Sequence, residues 1–201
     1  MNVPDLINAI GNAFKAASFT EWVIFIAALI YVVLTAFENI WCWLFGILSS
    51  ALSIYLCYTG NLFLESGLQV FYVIIGGYGW HQWLHGSKEK TELNIQSYSI
   101  NKNLILIGIG SIIWIPFALI ANYFSTQVMP FLDAFITAFS LIATWMTAKK
   151  VIENWLYWIV IDSLAIVLYA YRGFYLIALL YIIYTLLAAI GYIKWKKISH
   201  I

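Results

Sequence analysis

Residues 153–164 read ENWLYWIVIDSL. From Trp155 to Ile161 the run is apolar and aromatic with no alternation of polar positions, so it reads as helix rather than half-buried strand. Asp162 interrupts it, one helical turn after Trp158 and two after Asn154. An ionisable side chain at the centre of a membrane helix costs ~2.5–3.5 kcal/mol even on the milder insertion scales. The segment therefore crosses a membrane only if Asp162 turns away from lipid into the interior of a bundle. Whether the rest of the chain supplies that bundle decides the fold.

The 201 residues are 64% hydrophobic and 9% charged, with a mean hydropathy of +0.89. Soluble domains carry roughly 25% charged residues, so the chain is an all-α integral membrane protein. A net charge of +1 gives no basic surface for nucleic acid. Cys42 and Cys57 lie in one apolar segment, roughly 22 Å apart along a helix, too far to bridge, and are expected as free thiols. The three histidines have no partners at metal-ligand spacing, so neither metal nor cofactor is expected. The first 18 residues lack the basic start and long apolar core of a signal peptide.

A span needs about 20 mostly apolar residues. Seven are legible, at 19–37, 40–58, 66–84, 103–124, 130–148, 155–171 and 174–194. Breaks fall at Glu38-Asn39, Thr59 to Asn61, 85–102, Thr126 to Pro130, Lys149 to Asn154 and Arg172-Gly173. Leu6, Ile10 and Phe14 recur at helical spacing and predict a short interfacial helix over 4–17. In this layout Lys88, Lys90, Lys102, Lys149, Lys150, Lys194, Lys196 and Lys197 share one side, against Lys15 and Arg172 on the other. By the positive-inside rule the C-terminus is cytoplasmic and the N-terminus outside.

The chain also repeats itself. Glu38, Asn39 and Trp43 match Glu153, Asn154 and Trp158 at an offset of 115, whereas Tyr72, Gly79 and Trp83 match Tyr184, Gly191 and Trp195 at 112. On this reading the second copy is three residues shorter between its helices, and Asp162 faces either Ile47 or Ser50. Spans one to three recur as five to seven, with span four a linker whose odd count makes the halves parallel. The chain then divides into an N-terminal segment 1–18, a three-helix repeat 19–84, a loop and linker helix 85–124, a second repeat 125–197 and a tail 198–201. Pro116 is expected to kink the linker.

Helical periodicity sorts the spans into faces. Span six aligns Asn154, Trp158, Asp162 and Tyr169, with Trp155 at the edge. Span three aligns Gln69, Tyr72, Gly76, Trp80 and Trp83, and span seven Tyr181, Tyr184, Ala188, Gly191 and Trp195. Span two offers Asn39, Trp43, Gly46, Ser50 and Ser53, and span five Asp133, Thr137, Ser140 and Thr144. Faces of aromatics, small residues and uncharged polar groups belong inside a bundle, where polar groups find partners. Several positions have plainer readings. Trp22, Trp41 and Trp195 read as interfacial belt residues, and Trp80 and Trp83 as belt or lining equally. Gly76, Gly79 and Gly191 read as helix-packing positions, and His81 as an interfacial side chain. Thr137, Ser140 and Thr144 equally suit bonds between helices. Asp162 has no basic residue at comparable depth, so its alternatives are a structural acid bonding a neighbouring helix or the acceptor for a cationic or hydroxyl-rich ligand.

KKVIENWLYWIVIDSLAIVLYAYRGFYLIALLYIIY (149–184) and FENIWCWLFGILSSALSIYLCYTGNLFLESGLQVFYVIIGGYGWHQW (37–83) resemble the PnuC family of nicotinamide riboside transporters. The resemblance runs from about residue 20 to 197 and rests on the WxxW of Trp155 and Trp158 combined with the LQxFY and YGWxxW run. It implies a SWEET-like 3+1+3 fold, a homotrimer in the bacterial inner membrane and a substrate site within each protomer. It also implies facilitated diffusion, made one-way by a cytoplasmic kinase that phosphorylates the vitamin. Carried onto matching positions, it points to Asn154, Trp155, Trp158, Gln69 and Tyr72 as substrate contacts. The stripes add Asp162, Asn39, Trp43, Thr137 and Tyr184. Similar transporters carry thiamine, riboflavin or deoxynucleosides, and these motifs do not separate them. A membrane enzyme would need a nucleophile–base pair, metal cluster or paired acids at depth, and the sequence offers a single deep carboxylate. A channel suits the aromatic crowding less well than an enclosed, stacked ligand does.

Overall fold

The computed structural model describes residues 3–60, 63–87, 92–124 and 128–199. It contains α1 (Val3–Ala16), α2 (Phe19–Ala36), α3 (Cys42–Thr59), α4 (Phe63–His85), α5 (Ile100–Phe124), α6 (Pro130–Ala148), α7 (Asn154–Tyr171) and α8 (Tyr175–Ser199). Each span read from the sequence falls on one of α2–α8, and α1 covers the expected N-terminal helix. Lys88, Lys90, Asn61 and Thr126, used in that reading, lie outside the described residues, as does the Leu6 side chain. Among the described residues α2, α3, α5, α6, α7 and α8 are long and apolar enough to cross a membrane, so the chain is a multi-pass membrane protein. Helix α4 is 23 residues, about 34 Å, but carries Glu65, Gln69, His81 and Gln82. Pro116 sits inside an unbroken α5.

Local signals set the helix limits. Ser18 and Glu21 form a reciprocal capping box that starts α2, satisfying two otherwise orphaned amides. Helices α2 and α6 end alike. Glu38 N donates to Thr35 O at 3.0 Å and Asn39 N to Leu34 O at 2.9 Å; Lys150 N donates to Thr147 O at 3.0 Å and Val151 N to Met146 O at 3.0 Å. Glu38 and Lys150 adopt left-handed φ values of 57° and 50°, the conformation of a Schellman cap that usually calls for glycine. A residue with a Cβ loses roughly 1–2 kcal/mol there, so both ends carry the same unusual backbone.

These matching ends revise the repeat. Ala36 and Ala148 end α2 and α6, α3 and α7 run from 42 to 59 and from 154 to 171, and α4 and α8 begin at 63 and 175. One offset of 112 relates all of these limits. The three-residue shortening is therefore absent. Glu38 corresponds to Lys150, because both close a helix with left-handed φ, whereas Glu153 precedes α7 at φ −64°. Trp43 then answers to Trp155 rather than Trp158, and Asp162 to Ser50.

The chain forms two compact units. The first comprises Met1–Ala16, Ser97–Thr144 and Glu153–Ala189; the second comprises Ala17–Gln96, Trp145–Ile152 and Ile190–Ile201. In the first, Ile136, Phe139 and Ala143 of α6 pack with Ile161, Ala165 and Leu168 of α7. Trp114 of α5 meets Phe135 edge-on at 5.6 Å and donates its indole N–H to Phe131 O at 2.9 Å.

In the second unit, α2–α4 pack with the last turns of α6 and α8. Trp43, Trp83 and Trp195 form an edge-to-face series, with centroids 5.6 and 6.0 Å apart. Trp83 Nε1 donates to Thr147 O at 3.1 Å, and Trp195 Nε1 to Thr35 O at 3.0 Å. Donors and acceptors are again 112 apart. This overturns the belt reading of Trp195, which is 0% exposed, and resolves Trp83, at 2%, as core. Carbonyls in the last turn of a helix need outside donors, and a buried indole needs an acceptor. Trp41, by contrast, is 54% exposed. Gly76 faces Ile47, and Gly79 lies so close to Trp43 that a methyl group there would overlap the indole, as expected of packing positions.

Gln96, from the 85–102 segment, pairs with the α6–α7 turn. Gln96 N donates to Lys150 O and Ile152 N to Gln96 O, each at 2.9 Å, and Gln96 Nε2 donates to Lys149 O at 2.7 Å. One residue on, the Glu153 carboxylate accepts from Ser97 Oγ and Tyr98 N.

Candidate functional site

Six of the ten sequence-selected residues lie in the first unit: Asp162, Trp158, Asn154, Trp155, Thr137 and Tyr184. Asp162 is 3% exposed. No hydrogen bond or ion pair reaches its carboxylate among the described residues. An isolated buried carboxylate is costly unless something offsets its charge. Arg172, the cation of this unit nearest to it in sequence, is ten residues on, about 15 Å along α7. Its guanidinium is already taken by Val128 O at 2.9 and 3.0 Å and by Asp133 Oδ2 at 2.9 Å.

Tyr184 of α8 interacts electrostatically with Asp162. It meets Tyr181 edge-on at 5.8 Å, and Tyr181 stacks on Tyr169 of α7 at 5.4 Å with planes 10° apart. Trp158, half-buried and one turn before Asp162, packs against the same α6–α7 core as Tyr169 and Tyr181. The stripes in spans six and seven contain Tyr169 and Tyr181, but their spacing did not reveal that the two stack across helices. Their planar faces suit a flat or cationic ring, and Asp162 supplies an acceptor for hydroxyls or a countercharge.

The other first-unit positions are less directly engaged. Asn154 and Trp155, 0% and 2% exposed, sit in the first turn of α7, about 12 and 10 Å along the helix from Asp162. Thr137 is half-buried on α6. Asp133 of the span-five stripe forms the Arg172 pair, which ties the start of α6 to the end of α7. Its side chain is 37% exposed, and such partly exposed pairs contribute about 0–1 kcal/mol. Asp133→Asn retains an acceptor, so uptake should stay within about twofold of the parent. A tenfold loss would place Asp133 in the pathway.

The remaining four belong to the second unit. Asn39 Oδ1 accepts from Trp41 N at 3.0 Å and shapes the turn before α3. Trp43 is 1% exposed in the tryptophan series, with its indole N–H buried and unbonded. Gln69 and Tyr72 are half-buried on α4, Tyr72 lying edge-on to Phe71 at 5.7 Å.

Known proteins resemble this chain over most of its length. A family model described as "Nicotinamide mononucleotide transporter" matches residues 18–197. The nicotinamide riboside transporter PnuC of Escherichia coli is 27% identical, over 89% of this chain and 85% of its own. The PnuC of Neisseria mucosa is 25% identical, over 96% and 77%. The riboflavin/roseoflavin transporter RibM of Streptomyces davaonensis is 24% identical, over 79% and 75%. A solved structure, described as the crystal structure of the vitamin B3 transporter PnuC, superposes with a TM-score of 0.74 at 24% identity, covering 97% of this chain and 90% of that one.

Proposed function

This chain belongs to the PnuC family of membrane transporters, and from that premise we propose that it imports nicotinamide riboside by facilitated diffusion. The observation that carries the substrate class is Asp162: a buried acid without hydrogen bond or ion pair among the described residues, facing Tyr184, which meets the stacked Tyr181 edge-on. Nicotinamide riboside pairs a flat cationic ring with ribose hydroxyls. The ring suits Trp158 and the tyrosine series at ~0.5–2 kcal/mol per favourable face. The hydroxyls or the ring charge suit Asp162. Asn154, Trp155, Thr137, Gln69 and Tyr72 would contribute polar and stacking contacts along the route. The family description names the mononucleotide, but none of the ten proposed residues is Lys or Arg, so a phosphate would enter without a countercharge. That favours the riboside, and phosphorylation by a cytoplasmic kinase would then hold it inside.

Seven crossings by α2–α8, in a SWEET-like 3+1+3 parallel arrangement, are supported by the helix limits 112 residues apart and by the reciprocal indole bonds. The lysine distribution supports a cytoplasmic C-terminus. The family resemblance supports a homotrimer in the bacterial inner membrane and a role outside enzymology. Thiamine, also a flat cation, is the second candidate, and RibM makes riboflavin the third.

Purified protein in liposomes tests the reading directly. Uptake of nicotinamide riboside should saturate, and the mononucleotide should neither enter nor compete. An imposed proton gradient should change the initial rate by less than about twofold, because no ion supplies the driving force. Saturable uptake of thiamine or riboflavin alone would replace the substrate. Strong stimulation by the gradient would make Asp162 a proton carrier.

A further inference from the structure

We propose that Glu38, Lys150, Trp83 and Trp195 form a latch that closes one end of the transporter and must separate when that end opens. The proposal rests on the carrier reading above, since it requires the two three-helix sets to move against each other. All of the latch contacts join the first set to the second. Lys150 Nζ lies 2.6 Å from Glu38 Oε1, joining the turn after α6 to the turn after α2. The same ammonium stands 4.7 Å over the Trp83 ring. Trp83, near the end of α4, donates to a carbonyl of α6, and Trp195, on α8, donates to one of α2.

The pairing has a specific geometry. Glu38 touches the residue 112 positions on, and so does Trp83, whose ring lies 6.0 Å from that of Trp195. Under two-fold symmetry, only residues at the axis meet their own counterparts. The latch therefore sits on the axis relating the two sets. A carrier that alternates by rocking such sets must make the axial contacts at one end in one state and release them in the other. The contacts used here suit release. The Lys150 side chain is 6% exposed and that of Glu38 21%. A dry ion pair is strongly disturbed when one partner is removed, yet adds little net stability when intact, because water solvates both charges well. Hydration on opening would replace what the pair loses. Lysines 149, 150, 194, 196 and 197 mark this as the cytoplasmic end in the orientation proposed above.

The chain carries its own reporter. Cys42 is 0% exposed, meets the Thr35 side chain and feels the Lys150 charge, so its thiol is sealed beside the latch. In a Cys57→Ser background, Cys42 is the one remaining thiol. Its rate of modification by a maleimide, in liposomes without substrate, reads how often this end opens. Glu38→Gln or Lys150→Met should raise that rate at least about fivefold, while the exchanged pair, Glu38→Lys with Lys150→Glu, should return it to within about twofold of the parent. Trp195→Phe removes the bond to Thr35 and trims the indole to a smaller aromatic ring, and should raise the rate about threefold. It decides the matter if the charge variants fail to fold, as judged by melting temperature. Parental rates in the folded variants, or an exchanged pair that labels as fast as the single variants, overturn the latch. Because no substrate is present, expected labelling without riboside uptake removes only the substrate reading. Unchanged labelling beside normal uptake removes only the latch.

Discussion

Asp162→Asn should weaken nicotinamide riboside binding at least tenfold, a change of about 1.4 kcal/mol. The substitution keeps the shape of the side chain and removes its charge. If the carboxylate balances the ring or accepts ribose hydroxyls, a neutral amide does both less well. The unliganded protein should respond in the opposite direction. Asp162 is 3% exposed and has no hydrogen bond or ion pair among the described residues, so its removal relieves a desolvated charge, and the melting temperature should rise or hold. Titration with the riboside and a melting curve, on the same preparation, therefore separate two roles. A structural acid would lower the melting temperature on substitution and leave affinity alone. A ligand-binding acid would do the reverse. Trp158→Ala should also cost about tenfold in affinity through lost stacking. Unchanged affinity in both variants would remove the proposed site.

Gly79→Ala should be the most damaging small substitution in the second unit. Its methyl group would overlap the Trp43 indole. That ring has little room to move, since it is 1% exposed and held edge-on to Trp83 at 5.6 Å and tilted against Tyr31 at 6.1 Å. Overpacking of this kind costs about 1–3 kcal/mol. Trp43→Leu opens the space but forfeits buried aromatic contact, so it too should destabilise. Together they should cost at least about 1 kcal/mol less than the sum of the two, because each relieves what the other disturbs. Thermal unfolding in detergent measures all three. Additive losses would mean that Trp43 is not what restricts position 79.

The membrane made much of this legible in the sequence. A span must satisfy its own backbone hydrogen bonds over a fixed thickness, so α2, α3 and α5–α8 could be placed from hydrophobic run lengths. Asp162 stood out for the same reason. The sequence pairing that suggested a repeat does not match the helix limits. Glu38-Asn39 and Glu153-Asn154 share letters at an offset of 115, while the helix limits, and the left-handed φ shared by Glu38 and Lys150, lie 112 apart. Left-handed φ is signalled by glycine, and neither position has one. Trp195 was misplaced because an amphipathic ring suits a membrane interface and a buried acceptor equally, and the acceptor, Thr35 O, lies 160 residues away. Tyr169 and Tyr181 carried the right periodicity, but stacking between helices depends on interhelical geometry that one-dimensional spacing does not contain.

The Glu38–Lys150 ion pair also carries evolutionary information. Two identical polypeptides meeting across their own axis must present the same amino acid from each side, so acid would face acid or base would face base. Opposite charges at such a point are open only to halves that mutate independently. If the two sets descend from a duplicated ancestor, this salt bridge arose after the two copies diverged, and two identical copies of either half would not recreate it.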